Sequence, residues 1–450
     1  MKRKLSTNPK VLLCNCCRRY ANDYLDYIGQ NVYGYPRVSN PRRIGFGLRF
    51  LKQNVPQIEI LEYPLWHRYV RKLKEGWDVV GFSFFQNEVA DVERMAAEAR
   101  RQGVREIWAG GHGALDEHVQ TFADRVFIGA AEDDVARVFG NRVKDSDIEH
   151  PSLLNHFGFS LGGSFRIPHL TMGLLYTERG CPFKCTFCQT PVFERKRFNI
   201  NLESVDRVLR YYKKIGVTDV FVMDELFGIY PRYAEDLSTM LARYKFRWWT
   251  QSRASLFLHN LDKWYERGLR FPLIGLEAMS QKALDAVDKR QKTDEIIEFS
   301  RKTREKPGMY RMAYYMIGYD TMNLEDTLEN VAAVKTAGFD AHQVNILTPF
   351  PKTPLWTELD EKYGIFDKTY RHYDVKNLVW NHSHISAPGM KYLLHSTIAY
   401  LNKPMEIYGK GFVRLIRQRL KTRGLDFIWR DLIKGPVASA FINDRKQFFF

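Results

Sequence analysis

Cysteine is scarce in this chain. There are six in 450 residues, confined to two short groups: Cys14, Cys16 and Cys17, then Cys181, Cys185 and Cys188. A secreted disulfide scaffold would be smaller and would scatter its cysteines, so the pattern excludes one and points to metal chemistry in a reducing compartment. Long hydrophobic runs are missing too. No stretch reaches the roughly 18 apolar residues of a membrane span. The apolar run Val11–Leu13 after the basic start MKRKLSTNPK is too short for a signal peptide. These absences predict a cytoplasmic protein. No internal repeat or low-complexity tract interrupts the chain.

What is present describes a folded enzyme-sized chain. Hydrophobic residues make up 45%, aromatics 14% and charged residues 27%, which is not a disordered composition. The length suits two domains and a tail. The formal net charge is +16, which suggests an anionic partner such as nucleic acid, a membrane surface or an acidic small molecule without choosing among them. Ten basic residues face three acidic ones between Lys410 and Phe450.

Short apolar strands alternate with helices through residues 1–145. Lys10–Cys14, Ile58–Leu61, Asp78–Phe84, Glu106–Ala109 and Val126–Ile128 read as strands. Ile44–Lys52 and Glu88–Arg101 read as helices, and the acidic run Glu132-Asp133-Asp134 suits a helix N-terminus. This predicts an α/β, doubly wound, Rossmann-like domain. Ligands in such sheets sit at the carboxyl ends of the strands, where Ser83, Gly110, Gly111 and Gly129 fall. Residues 146–167 read as a linker. Six further strand–helix units follow over 168–365, with strands at His169–Thr177, Asp219–Met223, Arg247–Gln251, Arg270–Leu276, Tyr310–Gly318 and His342–Leu347. They predict a partial (β/α)6 barrel of the TIM type. Residues 366–450 read as a helical, basic C-terminal region. Met390–Leu401 is helical, and apolar stripes at Phe412, Val413, Ile416 and Leu420 and at Leu425, Ile428, Trp429 and Leu432 follow.

The chemistry concentrates in Arg179-Gly180-Cys181-Pro182-Phe183-Lys184-Cys185-Thr186-Phe187-Cys188. Three thiolates within eight residues can hold three corners of an iron–sulfur cube, leaving one iron open. A closed zinc site wants four ligands, and no fourth Cys or His lies nearby in sequence. The segment follows the first barrel strand, at the end where such barrels carry their active sites.

This C-x3-C-x-aromatic-C spacing resembles the radical S-adenosylmethionine (SAM) superfamily. The resemblance implies a 4Fe–4S cluster on Cys181, Cys185 and Cys188. Its open iron would bind SAM, and one electron would cleave SAM to methionine and a 5′-deoxyadenosyl radical. It also assigns SAM contacts to residues at the barrel strand ends: Asp224 and Glu225 after the second, Gln251 and Arg253 at the third, and Glu277 at the fourth. Met316-Ile317-Gly318-Tyr319-Asp320 and Thr348-Pro349-Phe350-Pro351-Lys352-Thr353-Pro354-Leu355 are similar to two further family segments, the second with Lys352 in place of a glycine. For each strand-end polar residue, capping or turn formation is the competing role.

The first domain resembles the cobalamin-binding domain that precedes the barrel in many relatives, through Asp78–Phe85, Gly110-Gly111-His112 and Gly129-Ala130-Ala131-Glu132. Ser83, Gly110, Gly111 and Gly129 would then admit the nucleotide tail of cobalamin, the alternative being a domain kept only as scaffold. No histidine precedes His67, so the D-x-H-x-x-G cobalt-ligating motif is absent. Cys14, Cys16 and Cys17 could face cobalt or hold a second cluster, but residues of this type are more often small buried side chains. The resemblance implies cobalamin-dependent C-methylation of an apolar metabolite of lipid, hopanoid or tetrapyrrole type. Rivals are a radical rearrangement, cyclisation, oxidation or C–C coupling without methyl transfer, or a non-catalytic iron–sulfur redox or membrane-docking protein. The implied partners are a small-molecule or lipid substrate and an electron donor such as flavodoxin or ferredoxin. The basic tail suits the inner membrane face or a cap on the barrel. No RNA-binding module is evident, which argues against nucleic acid. His382 and His384 are candidates to reach the site.

Overall fold

The computed structural model describes residues 8–17, 38–39, 44–161 and 165–402. The uninterrupted apolar runs of the first domain become strands covered on both faces. Glu59–Leu61, Val11–Asn15, Val79–Ser83, Glu106–Gly110 and Arg125–Val126 lie side by side in that order, all parallel. Successive side chains of one strand feed opposite layers. Val11 and Leu13 pack with Leu48 of helix Phe46–Asn54 and Val135 of helix Glu132–Val138. Leu12 and Cys14 pack with Tyr69 of helix Trp66–Leu73 and with Val92, Met95 and Ala96 of helix Val89–Arg101. The domain is doubly wound, as its pattern predicts.

The second sheet carries six parallel strands in chain order: Phe165–Leu175, Asp219–Val222, Arg247–Ser252, Leu269–Glu277, Met312–Ile317 and Ala341–Ile346. Helices between them bury one face. In Arg247–Ser252, Trp248, Thr250 and Ser252 are buried while Arg247, Trp249 and Gln251 are half-buried on the other face. This is the incomplete barrel expected from the six strand–helix units. Local signals set its helix ends. Asn323 caps Leu324–Ala337 by accepting from Asp326 N, the Asp326 side chain accepts from Asn323 N, and Gly338 ends the helix at φ +71°.

The segment read as a linker, 146–167, is largely a hairpin instead. Leu153–Leu161 runs antiparallel to Phe165–Leu175 and extends the barrel sheet. Its strands arise from backbone pairing against a sheet edge, which periodicity does not report. Beyond the barrel, Ala387–Leu401 is a helix that buries Met390, Leu394, Ile398 and Leu401. The exposed edge of the last strand is covered from the same region. Ile346 N donates to Val375 O at 2.8 Å, Lys376 Nζ to Val344 O at 2.7 Å, and Asn402 exchanges two hydrogen bonds with the His342 backbone. The two basic stripes, Phe412–Leu420 and Leu425–Leu432, lie outside the described residues, as does Gly162-Gly163-Ser164. Among the described residues no helix is long and apolar enough to cross a membrane.

Candidate active site

The cysteine loop is held from several sides. Thr186 N donates to Val287 O and Leu355 N to Thr186 O, each at 3.0 Å. Gln189 Nε2 donates to Pro351 O at 3.0 Å, so the Pro349–Leu355 segment closes over the loop. Cys188 N turns back onto Cys185 O at 3.0 Å. Cys185 is buried and Cys181 and Cys188 are half-buried. Burial pushes the Cys181 and Cys185 thiols up, while Lys289 and Arg253 oppose this at Cys185. Among the described residues no three His, Cys, Asp or Glu side chains converge on a single-ion site. A cube gives each thiolate its own iron and needs no such convergence. The surroundings suit an anionic cluster. Arg253 Nη2 lies 3.3 Å from Cys185 Sγ, and its guanidinium lies 3.6 Å from the centre of the Phe183 ring.

The residues expected to contact SAM divide into two groups. Arg253, Gln251 and Glu277 lie at the barrel mouth. Arg253 also donates to Lys289 O and to Arg290 O, the latter at 3.1 Å, so it fastens the loop as well as facing it. Gln251 donates to Asp224 O at 2.9 Å and accepts from the Tyr314 hydroxyl at 3.3 Å. Glu277 has φ +62° and pairs with Lys289 Nζ at 2.7 Å. Lys289 went unnoticed in the sequence. It sits between Asp288 and Arg290, both at positive φ, a strained turn that no composition signal marks. Asp224 is fully buried, and its carboxylate accepts from Thr177 N and, at 2.6 Å, from Thr177 Oγ1. Burial raises it to about 6. It ties two strand ends together. Glu225 bonds the Tyr176 hydroxyl and turns toward the first domain.

Between that domain and the barrel lies a cavity of about 270 Å³, near the lower end for ligand pockets. Ser83, Gly110, Gly111 and Gly129 all line it, joined by Asn15, whose Nδ2 donates to Ser83 O at 3.0 Å. The barrel supplies the opposite wall through Phe193, Glu194 and Glu225. The His112 ring stacks on Phe193 with centroids 4.3 Å apart. Burial holds that imidazole down to about 4, so it is neutral at pH 7. Gly129 has φ +81°, and a Cβ there would stand 2.9 Å from Phe193 O; the glycine is what lets the barrel approach. Beneath the cavity, Arg179 and Glu132 form a buried pair across the seam, 2.7 Å at the shorter contact.

Neither His382 nor His384 lines the cavity, and His384 is exposed. His382 Nδ1 accepts from the backbone of His384 and Ile385, which leaves Nε2 to donate to Tyr319 O at 3.1 Å. Cys14 and Cys16 are buried beside helix Val89–Arg101, and Cys17 N lies 3.3 Å from Met95 Sδ.

An open α/β domain stacked on an incomplete barrel, with three thiols on the loop after the first parallel barrel strand, defines a class of cluster-bearing barrel proteins. Residues 175–354 match the family model described as the Radical SAM superfamily. Residues 175–354 are thus a radical SAM domain, a type of enzyme domain that works with a 4Fe–4S cluster and SAM. It is 24% identical over 245 residues to an uncharacterised methyltransferase of Pyrococcus horikoshii, covering 53% of this chain and 52% of that one. The chain spans about half the length of that relative. It is 24% identical to a bacteriochlorophyllide d C-8(2)-methyltransferase of Chlorobaculum tepidum, over 67% of this chain and 73% of that one. Its fold is similar to that of TsrM, a radical SAM methyltransferase from Kitasatospora setae solved with cobalamin and a [4Fe-4S] cluster bound. There the TM-score is 0.59 at 16% identity, over 79% of this chain and 78% of the other.

Proposed function

We propose that this protein is a cobalamin-dependent radical SAM enzyme that methylates an unactivated carbon of an apolar small molecule. One observation carries the reading. The short helix Thr190–Phe193 begins two residues after Cys188, and its Phe193 forms a wall of the cavity at the strand ends of the first domain. The thiol loop and the cavity are therefore neighbours, as a reaction using both cofactors requires. The cavity lining supports a ligand. Asn15 is 3% exposed, lines the cavity, and its Oδ1 has no partner among the described residues. A buried acceptor of this kind suits the amide-rich rim of a corrinoid. A whole corrinoid exceeds the enclosed volume, so the lining as it stands accepts a part such as the nucleotide arm.

In this reading Cys181, Cys185 and Cys188 hold the cluster, with Arg253 and Lys289 offsetting its negative charge. Gln251, Arg253 and Glu277 orient SAM. Ser83, Gly110, Gly111 and Gly129 receive the corrinoid. When bound, the cluster supplies the electron that cleaves SAM, and the corrinoid supplies a methyl group. The electron comes from a small reduced carrier such as flavodoxin or ferredoxin. The similarity to a bacteriochlorophyllide methyltransferase favours a tetrapyrrole or another large apolar substrate.

The test is the corrinoid content of anaerobically purified protein from cobalamin-fed cells, by absorbance and mass spectrometry. Near-stoichiometric corrinoid is expected. None bound, with the cluster intact, overturns the cobalamin part and leaves radical chemistry without methyl transfer. With substrate in hand, turnover should give methylated product, S-adenosylhomocysteine, methionine and 5′-deoxyadenosine together.

A further inference from the structure

The turn after strand Met312–Ile317 is fixed at both ends. Gly318 takes φ +83°. Leu347 N donates to Ile317 O at 2.9 Å, and the Tyr319 carbonyl accepts from Met322 N at 3.1 Å and from His382 Nε2. Asp320 pairs with Lys362 at 2.8 Å. This turn delivers the Tyr319 side chain into the interior, where it is 1% exposed. Its hydroxyl has no hydrogen-bond partner among the described residues. Two other buried tyrosines are satisfied, while the Tyr373 hydroxyl, like that of Tyr319, has no partner among the described residues. Tyr212 bonds Leu153 N, Leu153 O and Leu174 O, and Tyr69 bonds Met95 O at 2.7 Å.

An unbonded buried hydroxyl is destabilising, and phenylalanine would fill the same space without that cost. The groups within electrostatic reach of Tyr319 are Glu277, Tyr315 and Cys185. Glu277 belongs to the barrel mouth and Cys185 to the thiol loop. A second orphan belongs to the thiol loop: Thr186 Oγ1, next in sequence to Cys185, is also buried without a partner among the described residues. An unpartnered hydroxyl on the turn after the strand paired with that of Glu277, and another next in sequence to Cys185, point to an acceptor supplied by something bound.

We infer that Tyr319 is a positioning residue whose hydroxyl donates to an anionic acceptor bound between Cys185 and Glu277. The inference rests on the reading of this loop as a cluster and SAM site. The acceptor chemistry has two sources, a sulfur of the cluster or the carboxylate of SAM. A hydrogen bond to cluster sulfur favours the reduced, more negative state. One to the SAM carboxylate adds affinity and leaves the cluster's redox equilibrium alone.

The experiment compares full-length wild type with Tyr319→Phe, both reconstituted anaerobically with iron and sulfide. Reduction of the SAM-free cluster is followed by EPR, and SAM affinity by anaerobic equilibrium dialysis. A reduction equilibrium disfavoured by about threefold to tenfold in the variant places the acceptor on the cluster. Unchanged reduction with SAM bound about tenfold more weakly places it on SAM. If neither moves while both proteins carry four irons, the inference is overturned. A wild type that takes up no cluster overturns the underlying reading instead. The cofactor-free proteins give an independent readout. Tyr319→Phe should melt at or above wild type, whereas Tyr212→Phe, which removes a satisfied hydroxyl, should melt lower. A lower melting point for Tyr319→Phe would mean that the hydroxyl already has a protein partner, and the inference fails.

Discussion

At the scale of single residues, the thiol loop works because charge and geometry agree. Cys185 receives a hydrogen bond from Arg253, and the same guanidinium covers Phe183 and holds the carbonyls of Lys289 and Arg290. Arginine is suited to this because its planar fork can stack and donate at once. In the proposed assignment, removing one of three cluster ligands leaves two irons open, so Cys185→Ala should lose both cluster and SAM cleavage. Iron and sulfide assay together with 5′-deoxyadenosine measurement checks this; nucleoside formation retained in the variant would sink the assignment. The cysteine spacing was legible in the sequence, and Gln251, Arg253 and Glu277 were singled out there as expected SAM contacts, because motif residues are read directly. No role for Lys289 was legible, and Tyr319 was marked only as part of the segment Met316–Asp320. Each is brought in by a backbone turn with positive φ, and only the folded chain shows where such turns point.

At the scale of elements, the short strand Glu178–Arg179 and the helix Glu132–Val138 are joined across the seam by the Arg179–Glu132 pair, with side chains 6% and 3% exposed. Breaking a buried pair by removing one partner leaves an uncompensated charge and costs about 3–5 kcal/mol. Glu132→Ala should show that loss in urea unfolding of the cofactor-free protein; a loss under about 1 kcal/mol would show the pair to be solvated. The same seam carries a pH dependence. Burial first, and neighbouring carboxylates after it, raise Glu194 and Glu225 to about 7 each, against an ordinary value of 4.5. Between those values the folded state binds more protons than the unfolded one. These groups therefore make stability fall as pH rises from about 4.5 to about 7, with the decline complete above that. Buried His112 and His150, lowered to about 4 and about 3, act in the opposite sense, so the readout is a difference. The melting temperature of wild type minus that of the Glu194→Gln/Glu225→Gln variant should decline across this window. A difference independent of pH would refute the assignment.

At the scale of the whole molecule, two adjacent strand-end glycines separate the ligand role of the cavity from its structural role. A Cβ on Gly110 would meet nothing closer than 3.8 Å, whereas on Gly111, at φ +81°, it would stand 2.7 Å from Phe84 O. Gly110→Leu should therefore keep the fold and fill cavity space, lowering bound corrinoid at least tenfold with little change in melting temperature. Gly111→Ala should cost stability whether or not a ligand is present. Equal corrinoid binding by Gly110→Leu and wild type would move the ligand away from these strand ends.

The sequence by itself determined the two α/β units, the three-thiol loop and the strand-end residues at the barrel mouth. Strand alternation and ligand spacing are local patterns set by backbone geometry and by the chemistry of iron–sulfur ligation. Tertiary structure alone decided the rest. The supposed linker at 146–167 became a hairpin because a sheet edge was there to pair with. Asp224 turned inward to Thr177, and Glu225 went to the seam instead of the barrel mouth. Lys352, in the left-handed region at φ +67°, reached Glu117 of the first domain. Each of these depends on a partner distant in sequence, and the direction of a side chain is settled only when that partner is in place.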